Sequence, residues 1–407
     1  GQWVPADQIG VPKGLFEPNG HFSPRVGIAW RVSNGLVVRG NYGVFASSFA
    51  GNRTASSIVG PPYWTWENIS FSPSTPQPWE TIFPSDPSFF VAPGTTAPAY
   101  NITSQKTHQW NVSVQKELPF RSALTVTYLG THRSDPLSGV AYNAVAPGQY
   151  TDLQAALPYP NLGSIILYQN GGVAWYNGLT AMLERRFSNG LGFTAAYAYS
   201  KSMLDGVTAD TVDSLQPFTP SGYLRGRSPY DRTQIATISG IYDLPFGHGR
   251  KYMSSANTIL DGVIGGWEFT SIVSYQSGSP LSFNVPGATL GNGYGTRANL
   301  VGDPQISNPS PQQWFNPAAF AAPPAYTYGS SGMGIMNGPG YFDLDTNLLK
   351  NFHFTESKYL QFQWNMFNAV NHVNYSNPQT TIGLGSTGEI FSAGAARVMQ
   401  FALKLYF

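Results

Sequence analysis

The stretch MQFALKLYF, Met399 to Phe407, decides the fold, because its side chains alternate strictly between two kinds. Every second residue is large and apolar, and Gln400, Ala402, Lys404 and Tyr406 fill the positions between them. Successive side chains of a β-strand point to opposite faces of its sheet. The stretch therefore predicts a strand with one strongly apolar face, formed by Met399, Phe401, Leu403, Leu405 and Phe407.

The same alternation recurs along the whole chain. In KYLQFQWNMF, Leu360, Phe362 and Trp364 alternate with Gln361 and Gln363. Counting such segments predicts about eleven strands in an all-β protein. They lie near residues 24–32, 36–46, 106–117, 121–130, 176–187, 191–200, 232–244, 266–276, 341–352, 358–369 and 397–407.

The links between these segments alternate in length. Short links such as Ser33-Asn34-Gly35 and Ser188-Asn189-Gly190 contain the residues of hairpin turns. Only one link on this side is longer, at 245–265. We expect its extra residues to form a small excursion, that is, a local structure outside the strands. The links on the other side are long loops, near residues 47–105, 131–175, 201–231, 277–340 and 370–396.

Short turns at one end and long loops at the other are typical of an outer-membrane barrel. The predicted fold is an antiparallel transmembrane β-barrel with short periplasmic turns and long extracellular loops. The alternative is a soluble β-propeller or β-sandwich, whose strands also alternate. Five loops longer than about 15 residues are hard to place in such a compact domain.

The composition excludes several classes of function. Lys and Arg number 22 against 21 acidic residues, so no nucleic-acid partner is predicted. The chain has no cysteine, which excludes disulfides and thiolate metal sites, and its six histidines form no metal-binding motif. No cofactor is expected. No apolar run reaches the roughly 18 residues of a membrane helix, which excludes a helical membrane protein.

Several stretches, taken in their order, resemble one known family: the C-terminal barrel of TonB-dependent outer-membrane receptors. The resemblance is to the large branch that has a carboxypeptidase-regulatory-like N-terminal domain. The stretches are FSPRVGIAWRV and VVRGNYGVF (22–45), YSKSMLDG (199–206), YDRTQIATISGIYDLPFGHGRKY (230–252), GGWEFTSIVSYQSGSPLSF (265–283), NLVGDP (299–304), WFNPAAFAAP (314–323), and GPGYFDLDTNLLKNF with LQFQWNMFNAVNHVNY (338–375).

The resemblance implies a receptor in the outer membrane of a Gram-negative-type bacterium, with a barrel of about 22 strands that encloses a plug. Residues 1–407 are then expected to be a partial barrel, roughly its second half, without the plug and the first half. TonB would be reached only through the missing N-terminal part, and no enzymatic activity is expected. The alternatives are a small barrel that acts as an adhesin or structural protein, or an outer-membrane hydrolase of about twelve strands.

Two sets of candidate site residues follow. The resemblance implies that Phe401, Leu403, Leu405 and Phe407 form a membrane-assembly signal, read by the barrel-assembly machinery before these residues face lipid. Exposed aromatic side chains on external loops stack on sugars or anchor peptides, although they also pack loops together. The candidates for contact with an unknown small-molecule, glycan or peptide ligand are Tyr63, Trp64 and Trp66 in PPYWTWEN, with Trp79 and Trp175 elsewhere in the predicted loops.

Overall fold

The computed structural model of the chain describes residues 22–47, 94–99, 102–206, 217–355 and 357–407. Its main feature is one sheet in which eleven long strands follow each other in chain order, each antiparallel to the next. These strands confirm all eleven predicted segments. They are β1 (Arg25–Ser33), β2 (Leu36–Ser47), β3 (Gln105–Leu118), β4 (Ser122–Ser134), β5 (Val173–Ser188), β6 (Leu191–Asp205), β7 (Gln234–Asp243), β8 (Trp267–Gln276), β9 (Tyr341–His353), β10 (Tyr359–Phe367) and β11 (Val398–Tyr406).

The sheet is open. Strands β1 and β11 are its two edges, and within the described residues they do not pair with each other. The short strand Gly226–Arg227 joins the sheet at the end of β6. An open edge leaves a row of backbone N–H and C=O groups without partners in the sheet.

One face of the sheet is apolar. Directly opposite residues of paired strands share a face, and Trp364 lies opposite both Leu348 and Phe401. The rings of Trp364 and Phe401 stack, with their centroids 5.5 Å apart. Phe362 lies opposite Leu403 on the same side. We call this side of the sheet the apolar face. In each of the eleven strands it comprises every second residue, as the strand pairing assigns them.

The other side, the polar face, carries hydrogen-bonded side chains. Arg39 Nη1 donates to Gln115 Oε1 at 2.9 Å, across β2 and β3. The side-chain amides of Asn41 and Asn111 donate to each other at 3.0 Å. Cross-strand pairs of this kind satisfy polar groups without burying them in an apolar core. The two faces therefore suit two different environments.

Charged residues of the apolar face lie only near the strand ends. Lys116 and Arg185 lie near the turns, and Lys201 lies opposite Asn177 near the loops. The strand between Asn177 and Arg185 rises roughly 26 Å at about 3.3 Å per residue. At a strand tilt of about 35–45° this length spans about 20 Å along the membrane normal, which is most of the apolar band of about 25 Å in a membrane barrel.

The turns that join the strands in pairs use the residues that the sequence predicts. At the β5–β6 turn, Asn189 has φ 53° and Gly190 has φ 76°. Two successive positive φ angles form the type I′ turn that matches the twist of a hairpin. Gly35 at the β1–β2 turn also has a positive φ, 73°. All such turns lie at one end of the sheet, which we call the turn end.

The link between β7 and β8 also lies at the turn end. As predicted, it forms a small excursion with a structure of its own. It contains the helix Thr258–Ile264, whose N-cap Asn257 accepts a hydrogen bond from the backbone N–H of Leu260 at 2.9 Å. In the described ranges, no helix is long and apolar enough to cross a membrane.

The opposite end of the sheet, the loop end, carries short secondary-structure elements between the long strands. The sequence did not predict these elements, because most are only two to five residues long. They are the three-stranded sheet Thr95–Pro98, Ile165–Asn170 and Leu137–Ala141, the pairs Pro280–Leu281 with Met336–Asn337 and Asn299–Leu300 with Phe320–Ala321, the helix Leu153–Ala156 and the 3-10 helix Pro317–Ala319.

Candidate functional site

The loops at the loop end fold together into one body, which we call the loop layer. Gly148 N–H donates to the Leu290 carbonyl at 3.0 Å, and Trp314 N–H donates to the Gly388 carbonyl at 2.9 Å. These bonds connect segments that are far apart in sequence. The loop layer comprises residues 135–172, 217–233, 277–340 and 368–397.

The loop layer has its own hydrophobic core. Phe283 and Phe315 are fully buried and meet edge to face, with their centroids 4.9 Å apart. Phe320 stacks on Phe283 at 4.2 Å. Aromatic pairs of this kind add to the free energy gained by burying their area. The other buried members of this core are Leu281, Val285, Ala298, Ala319 and Ile382.

Arg297 ties residues 217–233 to this core. Its guanidinium lies 3.7 Å from the ring centroid of Tyr223, and its Nε donates to the Ser331 carbonyl at 2.7 Å. Burial lowers the pKa of Arg297 from its ordinary value, and the interaction with Tyr223 opposes this shift. An Arg remains protonated in proteins. The Tyr223 ring and the Ser331 carbonyl therefore stabilise the positive charge of Arg297.

Arg227 and Asp231 join the loop layer to the ends of the strands. The two side chains form an ion pair at 2.7 Å, and the Asp231 side chain is completely buried. Asp231 also accepts a hydrogen bond from the backbone N–H of Ser202 at 2.7 Å. Arg227 donates to Asn337 Oδ1 at 2.6 Å. This network fixes Arg227 beside residues 335–337.

A cavity of about 320 Å³ opens next to Arg227 in the loop layer. The Trp314 ring forms part of its wall and is held by the bond from its Nε1 to the Asn337 carbonyl, at 3.1 Å. An aromatic ring, aliphatic side chains and one cation are the usual lining of a site for a small organic ligand. The lining residues are Arg227, Gln305, Ile306, Pro309, Trp314, Ile335, Met336 and Asn337.

A second cavity of about 770 Å³ lies at the turn end and includes residues of the polar face. Its lining contains three cationic and two anionic side chains, so it suits a polar or charged protein surface better than an apolar ligand. These charged residues are Arg31, Arg121, Arg186, Glu117 and Glu184.

The structure places Trp175 in a strand, and its predicted position in a loop is wrong. Strand β5 begins at Val173, so Trp175 pairs with His132 on the apolar face. Their rings are 6.2 Å apart, and Arg225 lies 5.8 Å from the Trp175 ring. Aromatic residues at this level are typical of the interfacial girdle of a membrane barrel.

The other four aromatic candidates for ligand contact, Tyr63, Trp64, Trp66 and Trp79, lie outside the described residues. Their contact with a ligand stays a prediction, as does that of Trp175. Sequence reasoning did not single out Trp314 or Arg227, which line the cavity. The only signal in the sequence was that Trp314 lies in WFNPAAFAAP, one of the stretches that resemble the receptor family, whereas Arg227 lies between two of those stretches.

The proposed assembly-signal residues lie at the last edge of the sheet. Phe401, Leu403 and Leu405 lie on the apolar face of β11, and their side chains are well exposed. Phe407 follows the end of the strand and is 94% exposed. Their recognition by the barrel-assembly machinery stays a prediction.

We expect the double substitution Leu405→Ala and Phe407→Ala to lower the amount of assembled barrel several-fold, because the signal loses two of its four apolar side chains. The measurement is the heat-modifiable fraction of the complete protein in outer membranes. Gln400→Ala with Lys404→Ala, on the other side of the same strand, serves as the control. An equal assembled fraction in both double variants would contradict the signal.

Comparisons with known proteins agree with this architecture. The family model "Outer membrane beta barrel domain" matches residues 1–400. The chain is similar to the outer membrane transporter YddB from Escherichia coli, with 10% identity, a TM-score of 0.52, and coverage of 96% of this chain and 41% of that one. At this identity the likeness concerns the fold alone.

Other solved structures are similar at lower TM-scores. The ferripyoverdine receptor of the Pseudomonas aeruginosa outer membrane has 11% identity and a TM-score of 0.47, with 96% of this chain and 33% of that chain covered. The siderophore receptor PiuA from Acinetobacter baumannii has 12% identity and a TM-score of 0.46, with coverage of 94% and 35%. No curated protein matches the sequence. The chain spans less than half the length of these three structures.

Proposed function

Because this chain belongs to the outer membrane β-barrel domain family and its barrel lies in the outer membrane of a Gram-negative-type bacterium, we propose that it is part of a TonB-dependent receptor. In this proposal the chain is the second half of the receptor barrel. The complete protein imports a scarce ligand that is captured at the extracellular loops. Its energy comes through TonB, which contacts an N-terminal part outside this chain.

The open edges of the sheet support the partial-barrel part of this proposal. Among the residues that the structure describes, no further strand pairs with the outer edges of β1 and β11, and lipid offers no hydrogen-bonding partners for backbone groups at such edges. Further strands that pair with both edges would close the barrel. The charged cavity at the turn end, with Arg31 and Glu117 in its wall, would then face the lumen and suit contact with a plug.

The cavity beside Trp314 and Arg227 is the main observation that supports ligand uptake as the function. It lies in a folded loop layer at the extracellular end, where a ligand arrives first. Its walls are held by the Arg227–Asp231 ion pair and by the core around Phe283. A preorganised site loses less free energy on binding than a flexible one. A cavity with a mixed polar and apolar lining, whose one cation is already paired with Asp231, favours an organic ligand that has both apolar and hydrogen-bonding groups.

Uptake by intact cells tests this function. Cells with and without the complete gene would be given radiolabelled ferric catecholate and hydroxamate siderophores, cyanocobalamin and maltohexaose, each with and without a protonophore. We expect accumulation of one probe to require both the gene and the proton-motive force. Gene-dependent adhesion to surfaces without energy-dependent uptake of any probe would contradict the proposal and favour a non-transport barrel.

A variant that fills the cavity tests its role in capture. Gln305→Trp places a large ring in the lining at an exposed position, so it blocks the cavity without disturbing the core. We expect the half-saturating concentration for uptake to rise on the order of tenfold, which corresponds to about 1.4 kcal/mol of lost binding. Val301→Trp, at an exposed site outside the cavity lining, is the matched control. Equal values for both variants would exclude this cavity as the capture site.

A further inference from the structure

The link between β7 and β8, residues 244–266, packs on the apolar face of the barrel. Lys350 lies on that face, opposite Trp267 and Phe362, yet it is only 3% exposed. Its ammonium donates to the carbonyl oxygen of Gly265 at 2.5 Å and to that of Asp261 at 3.4 Å. The end of the helix Thr258–Ile264 therefore covers Lys350 from the outer side of the barrel.

The covering residues satisfy a charge that lipid would not tolerate. The last carbonyl groups of a helix have no partners within the helix and carry a partial negative charge. Here the carbonyl of the C-cap residue Gly265 faces the Lys350 ammonium, together with that of Asp261, which also accepts the Gly265 backbone N–H at 2.8 Å. The rings of Phe352 and Trp267 lie 5.1 and 5.5 Å from it. The Trp267 indole N–H is also satisfied by this helix, through the Val263 carbonyl at 2.9 Å.

The covered position lies beside the apolar belt of the barrel. Phe352 is two residues nearer the turn end than Lys350, and it lies opposite Leu360, which lies opposite Leu405. All three are on the apolar face. These are the last apolar-face residues before the β9–β10 turn, so the helix that covers Lys350 lies at the turn-end edge of the apolar belt.

The outward side of this link is apolar and basic. Ile259 is 83% exposed and Val263 is 65% exposed, and residues four apart lie on the same side of a helix. Tyr252 is also exposed, and the neighbouring Arg250 and Lys251 are exposed cations. Apolar side chains next to basic ones are typical of segments that lie in a membrane interface.

We propose that residues 244–266 form an interfacial anchor in the periplasmic leaflet of the outer membrane. Ile259 and Val263 contact the acyl chains of phospholipids, and Arg250 and Lys251 contact anionic headgroups. Lys350 holds the helix against the barrel wall. The anchor continues the lipid-facing surface of the barrel outward and fixes the depth of β7, β8 and β9 in the bilayer. It does not depend on which ligand the receptor carries.

The depth of labelled side chains tests the anchor. Because this chain has no cysteine, Ile259→Cys and Val263→Cys each give a single attachment site in it for the fluorophore NBD. The complete protein is reconstituted in vesicles of phosphatidylethanolamine and phosphatidylglycerol. We expect quenching by brominated lipids, protection from iodide, and a depth of about 5–10 Å in the headgroup and acyl boundary. Thr355→Cys, in the exposed β9–β10 turn at the same end, is the control and should be quenched by iodide.

Iodide quenching at positions 259 and 263 equal to that at position 355 would overturn the anchor, provided that the labelled proteins remain heat-modifiable barrels. A second variant tests the attachment. We expect Lys350→Met to raise hydrogen exchange in residues 258–265 while the barrel stays folded, and we expect no change with Lys358→Met, at an exposed turn position. Unchanged exchange in Lys350→Met would contradict the role of Lys350.

Discussion

Replacing Leu179 by Arg is expected to destabilise the folded barrel in a bilayer by about 2–4 kcal/mol, the usual cost of a cation near the middle of a lipid-facing surface. Leu179 is near the centre of β5, and it lies opposite Tyr128 and Tyr199 on the apolar face. A guanidinium there has no carbonyl cap of the kind that covers Lys350. The measurement is the free energy of unfolding of the complete protein in phospholipid vesicles.

The adjacent substitution Thr180→Arg is the matched control. Thr180 lies on the polar face, opposite Thr127 and Ala198, where an added charge meets water in the lumen. We expect a change of less than about 1 kcal/mol, because lumen-facing charges cost little in a membrane barrel. Equal destabilisation by the two substitutions would show that the two faces of β5 do not meet different environments.

The Phe283→Ala substitution is expected to destabilise the loop layer by about 3–5 kcal/mol, because it removes a fully buried ring and leaves a cavity. Phe283 contacts Phe315 and Phe320 at the centre of the loop core. The barrel strands keep all their own pairings. We therefore expect rapid proteolysis within residues 277–340 of a protein that is still heat-modifiable.

Phe391→Ala is the control for this effect. Phe391 belongs to the same loop layer but is 69% exposed, so its ring contributes little to the core. The protease should cut this variant no faster than the unaltered protein. If Phe283→Ala is also cut at the unaltered rate, the loop layer is not held by this aromatic core.

The strands could be predicted because each one separates a lipid side from a water side. In β11, the alternation of the large apolar residues Phe401, Leu403 and Leu405 with small or polar residues is a direct consequence of that separation. The prediction ended β4 at Gly130, but the strand continues to Ser134. The Trp110 ring occupies the space that a side chain at residue 130 would need. Gly130 therefore does not end the strand. Its missing side chain leaves room for the Trp110 ring of the neighbouring strand.

The loop layer could not be predicted in the same way. Its core joins Phe283, Phe315 and Ile382, which are distant in sequence and follow no regular period. Its paired strands are as short as two residues, so local pattern carries little information about them. Trp314 and Arg227 meet at one cavity only because this tertiary packing brings them there. Trp175 was misplaced for a related reason, since β5 extends beyond the apparent start of its alternation.

The most direct test of the account is a spin-label scan of residues 177–185 in β5, one position at a time, in the complete protein reconstituted in lipid. Collision with oxygen reports exposure to lipid, and collision with a water-soluble nickel chelate reports exposure to water. We expect oxygen maxima at Leu179, Ala181 and Leu183, and nickel maxima at Thr180 and Met182. Collision rates without a two-residue period would contradict a membrane-spanning strand with one face in lipid and the other in the lumen.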